Sequence, residues 1–218
     1  MSNKVLIQKT ADYVKAKFEG EGSGHDWWHM YRVWQLAKHI AKSEKGADMT
    51  VVELGALLHD IADFKFHGHS LEAGPKAARQ WLKSIGADKK TIASVEDIVR
   101  NVSFKGASFK NEFKTIDGRV VYDADKLDSI GAIGIARVFA YSGAHGNLIH
   151  HPDIKPKEFK TFEEYASYKA TSVNHFYEKL LLLKDRMQTK TGKKMAARRH
   201  KIMEDYLKQF YAEWDGKL

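Results

Sequence analysis

Residues 55–66 read GALLHDIADFKF. The run opens as a buried helix would, with Gly55, Ala56, Leu57 and Leu58, and then sets His59 and Asp60 side by side. Ile61 and Ala62 resume the apolar pattern before Asp63 breaks it again. Burying an imidazole and a carboxylate is costly unless something strong pairs with them. Adjacent helical residues point about 100° apart, so the two do not stack on each other, but both can converge on one ion at the helix edge. Neutral imidazole and carboxylate are both ligands for divalent metals. Two ligands are too few, and others are expected in similarly apolar settings.

His29 is one. It falls in the first turn of a predicted helix, with Val33, Leu36 and Ile40 following at helical spacing. Asp125 is another, preceded by the apolar run VVY and followed by the small-residue segment KLDSIGAIGIARVFAY, which reads as one tightly packed helix. Each has a plainer alternative: a core histidine held by a hydrogen bond, or, for Asp125, a helix cap. The joint arrangement, a histidine on one helix, His-Asp in a central apolar helix and an aspartate before another, is what points to a metal.

Helical periodicity runs along most of the chain. Residues 4–18 form a first amphipathic helix and residues 50–63 a central buried one. LEAGPKAARQWLKSIG stops at Gly86, and TIASVEDIVRNV turns Ile92, Val95, Ile98, Val99 and Val102 inward. Val173, Phe176, Tyr177, Leu180 and Leu181 mark a further helix; Ile202, Met203, Tyr206, Leu207, Phe210, Tyr211 and Trp214 mark the last. Trp27, Trp28 and Trp34 have a spacing that favours core packing over a base-stacking wall. No alternating strand, βαβ rhythm or internal repeat is present. The fold class is therefore all-α: a single helical bundle over residues 1–218, with a long Gly-, His- and Pro-bearing loop at 142–160 before the C-terminal helices at about 160–214.

The order H…HD…D resembles the HD-domain superfamily of metal-dependent phosphohydrolases. HDWWHMYRVWQLAKHIA is similar to the first ligand helix of that superfamily, ELGALLHDIAD to its HD helix, and VVYDADKLDSIGAIGIARVFAY to the final ligand segment of a bacterial subgroup similar to nucleotide pyrophosphohydrolases. The likeness spans about residues 20–145. It implies that His29, His59, Asp60 and Asp125 are the metal ligands of one divalent ion. That mixed N/O set suits Mn²⁺, Fe²⁺, Co²⁺, Ni²⁺ or Zn²⁺ better than Mg²⁺. It also implies hydrolysis at phosphorus by metal-activated water.

The same resemblance gives Asp63, four residues beyond His59, the role of base or water-orienting group. Lys65 is expected beside it, stabilising the leaving group. His67, His69, Ser103, Lys105, Lys126 and Arg137 are expected to contact substrate phosphate, and Asp26 and Asp128 to hold ligands or basic groups in place. Asn101 and Ser103 stand in RNVSFKG where two-metal members often carry histidines, which favours a single ion. His25 is read as a helix cap or a support for His29; His145, His150 and His151 lie in the long loop.

Composition sets the bounds on these readings. With no cysteine, disulfides, thiolate metal sites and a cysteine nucleophile are all excluded, which fits a reducing cytoplasm. The N-terminal stretch MSNKVLIQKTADYVKAKFEG lacks a signal-type apolar core, and no apolar run approaches the roughly 20 residues of a membrane span. The expectation is a soluble, cytoplasmic protein. Lys plus Arg exceed Asp plus Glu by 36 to 28, a formal charge of +8 that favours anionic partners. Residues 184–201 carry eight Lys or Arg against one Asp, read as a solvated face or as a phosphate- or nucleic-acid-facing patch.

The reaction expected first is conversion of a nucleoside triphosphate to monophosphate and pyrophosphate. The alternatives are a nucleotide phosphomonoesterase, a signalling-nucleotide hydrolase, and a metal-stabilised nucleic-acid-binding protein. Helical packing surfaces allow a homodimer, although no heptad pattern specifies one.

Overall fold

The computed structural model describes residues 2–20, 26–62, 72–103, 111–159, 164, 168 and 170–218. Its described elements are nine α-helices and a 3₁₀ segment, with no strand, so the all-α reading holds. The helices are α1 (Asn3–Lys17), α2 (Trp27–Ala41), α3 (Met49–Leu58), α4 (Ala73–Ser84), α5 (Lys89–Val102), α6 (Ile116–Asp128), α7 (Gly131–Ala144), α8 (Ser172–Glu178) and α9 (Lys190–Trp214). The 3₁₀ segment, Leu180–Arg186, lies between α8 and α9. No described helix is long and apolar enough to cross a membrane.

The chain divides into two compact units, and the division falls between Asp125 and Lys126, inside the continuous helix α6. In the first unit α3 packs against α1, α2 and α5, and α5 against α4. Helix α3 is buried from Val51 to Leu58 except at Glu53, as its predominantly apolar composition requires. Its start is fixed by Asp48, whose carboxylate accepts from the Thr50 and Val51 amides at 2.9 and 3.3 Å. The Asp48 amide in turn donates to Asp117 of α6 at 2.7 Å. Gly55 permits close helix approach: a β-carbon there would stand 3.2 Å from Ile98 of α5 and 3.4 Å from Val121 of α6.

In the second unit α9 packs against α7 and the 3₁₀ segment, and α7 against α8. Phe176 and Tyr206 stack at 5.8 Å. His150 of the long loop sits against Phe210, Tyr211 and Trp214, whereas His145 stacks on Tyr141.

Four sequence expectations are corrected. Helix α3 ends at Leu58 rather than running to residue 63, and His59 to Ala62 form a turn. The segment 126–141 is two helices: α6 ends at Asp128 and α7 starts at Gly131, whose φ of 76° breaks the run. Trp28 is 59% exposed, Trp27 and Trp34 are only partly covered, and Trp34 spends its indole N–H on Glu53 at 2.8 Å. None of the three is therefore a fully buried core residue: Trp28 faces outward, and Trp34 sits at the edge of the contact with α3. Ile202 and Trp214 are likewise exposed, so the inner face of α9 is narrower than its apolar content suggests.

Replacing Gly55 with Leu forces a side chain between α3, α5 and α6. The expected cost is about 1–3 kcal/mol, read as a lowered urea midpoint; an unchanged midpoint contradicts the close approach.

Candidate metal centre

Helix α2 supplies the first donor. Asp26 stands just before it and accepts from the His29 amide at 2.9 Å, capping the helix and fixing where His29 emerges. The bond reaches the backbone of His29. The His29 side chain is buried.

The turn after α3 supplies two more. His59 occupies the position that ends the helix, and its Nδ1 lies 2.8 Å from the Ala56 carbonyl oxygen. Nδ1 therefore carries the proton and donates, which leaves the Nε2 lone pair aimed inward in the neutral ring. Asp60 follows, partly exposed.

Helix α6 supplies the fourth. Residues 120–128 are all buried, and Asp125 lies within the last turn of this helix rather than ahead of one, which excludes the cap reading. All four residues belong to the first unit.

Their ligand atoms converge. His29 Nε2 is 3.2 Å from His59 Nε2. Asp60 Oδ2 lies 3.6 Å from the first and 3.4 Å from the second. Asp125 Oδ1 lies 3.8 and 3.6 Å from them. Neighbouring donors around an ion with bonds of about 2.1 Å stand about 3.0 Å apart in octahedral and about 3.4 Å apart in tetrahedral geometry. The spacing of His29, His59 and Asp125 could thus hold one divalent cation, with Asp60 beside both histidines, and imidazole with carboxylate donors suits a transition metal.

The electrostatics agree. Burial by itself pushes the His59 imidazole down, but the carboxylates of Asp60 and Asp125, with the Ala56 carbonyl, outweigh it and hold the group up at about 9. Two carboxylates beside a buried ring therefore draw a positive charge to the spot where a cation would sit.

The remaining expectations divide. Asp63, Lys65, His67, His69, Lys105 and His25 lie outside the described residues. The helix on which the Asp63 spacing was reckoned ends at Leu58. Ser103 is partly buried, and its carbonyl accepts from the Asn111 side chain at 2.9 Å. Lys126 is buried in α6. Arg137 Nη1 donates to Asp128 Oδ2 at 3.1 Å, so these two predicted site residues are paired with each other. Sequence reasoning missed Arg199, read only as part of a basic run. A signal was available: with Gly192, Ala196, Met203 and Leu207 it keeps the 3–4 spacing of the buried face of α9.

The chain belongs to the HD-domain family. The HD domain matches residues 27–130. The Bacillus subtilis protein YpgQ is 35% identical over 205 residues, 94% of this chain and 91% of YpgQ. A crystal structure from Lactobacillus plantarum has a TM-score of 0.88 at 35% identity, covering 99% of this chain and 100% of that one. An HD-superfamily hydrolase from Bacillus thuringiensis has a TM-score of 0.74 at 39% identity, covering 98% and 99%. YpgQ in complex with ADP has a TM-score of 0.69 at 31% identity, covering 93% and 97%.

The raised His59 value fixes the sign of a pH effect. In metal-stripped protein the protonated ring contributes stability fully present below the unfolded value of 6.5 and lost as pH rises through about 9. A metal must displace that proton, so its apparent affinity rises with pH over the same window, by about tenfold per unit. Mn²⁺ titration calorimetry at successive pH values checks this; a flat profile contradicts it.

Proposed function

We propose that this protein hydrolyses nucleotides, converting a nucleoside triphosphate to monophosphate and pyrophosphate, with residues 1–218 acting as one functional domain. The observation that carries the reading is the convergence of His29, His59, Asp60 and Asp125 at one point with the spacing of metal donors. Membership of the HD-domain family, an ADP complex of the relative YpgQ, and a net charge of +8 support a phosphate-bearing anionic substrate.

His29, His59, Asp60 and Asp125 would hold the ion. When bound, a divalent cation supplies Lewis acidity, easing deprotonation of water and offsetting phosphate charge. The Ala56 carbonyl keeps the His59 ring in the tautomer that presents Nε2. Asp63 takes the proton of the attacking water. A new O–P bond forms at the α-phosphorus, the bridging P–O bond breaks, and pyrophosphate leaves. Lys65, His67, His69, Ser103, Lys105 and Lys126 contact the phosphates. Arg137, held by Asp128, joins them as a phosphate contact. Mn²⁺ or a similar transition ion is the preferred cofactor.

The test is product analysis. Metal-stripped protein is incubated with nucleoside triphosphates and monophosphates, adding Mn²⁺, Co²⁺, Ni²⁺, Zn²⁺ or Mg²⁺ singly. Pyrophosphate release that falls to background in Asp60→Ala, and by about 10²–10⁴-fold in Asp63→Asn, is expected. Orthophosphate from monophosphates alone moves the reaction to the phosphomonoesterase. Metal binding with no turnover of any nucleotide overturns the reading.

A further inference from the structure

The end of α6 is held by two arginines from two other helices. Arg137 of α7 donates to Asp128 Oδ2 at 3.1 Å and lies 3.5 Å from the Asp128 carbonyl oxygen. Arg199 of α9 donates through Nη1 to the Leu127 carbonyl. Leu127, Asp128, Arg137 and Arg199 all belong to the second unit.

The last carbonyls of a helix lack intrahelical donors. Here Lys126 O accepts from the Ser129 amide and Leu127 O from the Ile130 amide, each at 3.2 Å, which tightens the final turn. The guanidinium of Arg199 adds a second donor at Leu127 O and a positive charge where the helix dipole is negative. That charge also interacts with the buried Asp128 carboxylate of the same helix end.

The turn into α7 is shaped around the same side chain. Gly131 has a φ of 76°, and a β-carbon there would lie 2.9 Å from Arg199 Cβ and 3.0 Å from its Cγ. The stem of Arg199 therefore passes through the space that any side chain at 131 would fill. Gly134 lets the first turn of α7 close on the end of α6, since a β-carbon there would stand 2.3 Å from the Ser129 carbonyl oxygen. A basic residue on the buried face of α9, a glycine forced by both φ and space, and a helix end with matched donors all meet at one point.

We propose that Arg199 is a positioning residue for Asp125: by capping α6 at Leu127 it fixes the last turn on which that carboxylate stands. The proposal rests on the metal reading above. Arg199 acts along two residues of helix, through its bond to the Leu127 carbonyl. Arg137 on Asp128 is the second anchor of the same turn.

The experiment measures Mn²⁺ affinity by calorimetry and the visible spectrum of the Co²⁺-loaded full-length protein. Arg199→Met keeps length and removes charge and donors. It is expected to lower Mn²⁺ affinity by about tenfold, the low end for groups that support ligands, and to change the Co²⁺ spectrum. Arg199→Lys restores a cation at the helix end and recovers part of the affinity. Leu207→Ala, which loosens the buried face of the same helix, is the structural control: it lowers the melting temperature and leaves affinity and spectrum unchanged. Wild-type affinity and spectrum in Arg199→Met overturn the proposal, as does an equal loss in Leu207→Ala. Wild-type protein that binds no metal overturns the centre itself and the positioning role with it, an outcome separable from the others because it is read before any substitution.

Discussion

The structure turns on burying His59, with Asp60 beside it, at the end of an apolar helix. Neither group belongs in a core by its own transfer energy, and the arrangement persists because two more donors are brought to the same point. His59 shows how the fold meets that demand. One ring nitrogen replaces a missing helix donor at the Ala56 carbonyl, and the other faces His29, Asp60 and Asp125. The histidine ends α3 and opens the centre in the same stroke.

Every ligand-bearing element is fixed by polar contacts at its end. Asp26 caps α2 at the His29 amide, Asp48 caps α3 and is itself tied to Asp117 of α6, and arginines close the far end of α6. Helix interiors are held by apolar packing, which tolerates small slips. Helix ends are held by directional bonds that do not, so a centre built at helix ends inherits their precision.

The ligands were legible because each is a polar residue in an apolar pattern, and such a residue must be compensated. His29, His59, Asp60 and Asp125 were singled out in this way; the structure groups His29, His59 and Asp125 as a candidate metal site, with Asp60 Oδ2 close to both histidines. Boundaries were less legible. The apolar run of α3 continues past Leu58, so periodicity alone extended the helix through a turn where the His59 side chain takes over the bonding. The glycines after Asp128 read as close-packing residues, while Gly131 is a break. The tryptophans of α2 carry helical spacing, but spacing does not say which face meets a neighbour.

Local sequence determined the all-α class, the candidate donor residues and the family, because these depend on periodicity and on residue chemistry that a short window contains. The meeting of His29 with Asp125 and the aim of Arg199 at Leu127 were decided only by tertiary structure. Both join residues far apart in the chain, and nothing in a basic run distinguishes the one arginine whose stem passes a glycine and reaches a helix end from its solvated neighbours. That distinction is made by packing, which places one face of α9 against the turn between α6 and α7 and leaves the rest in water.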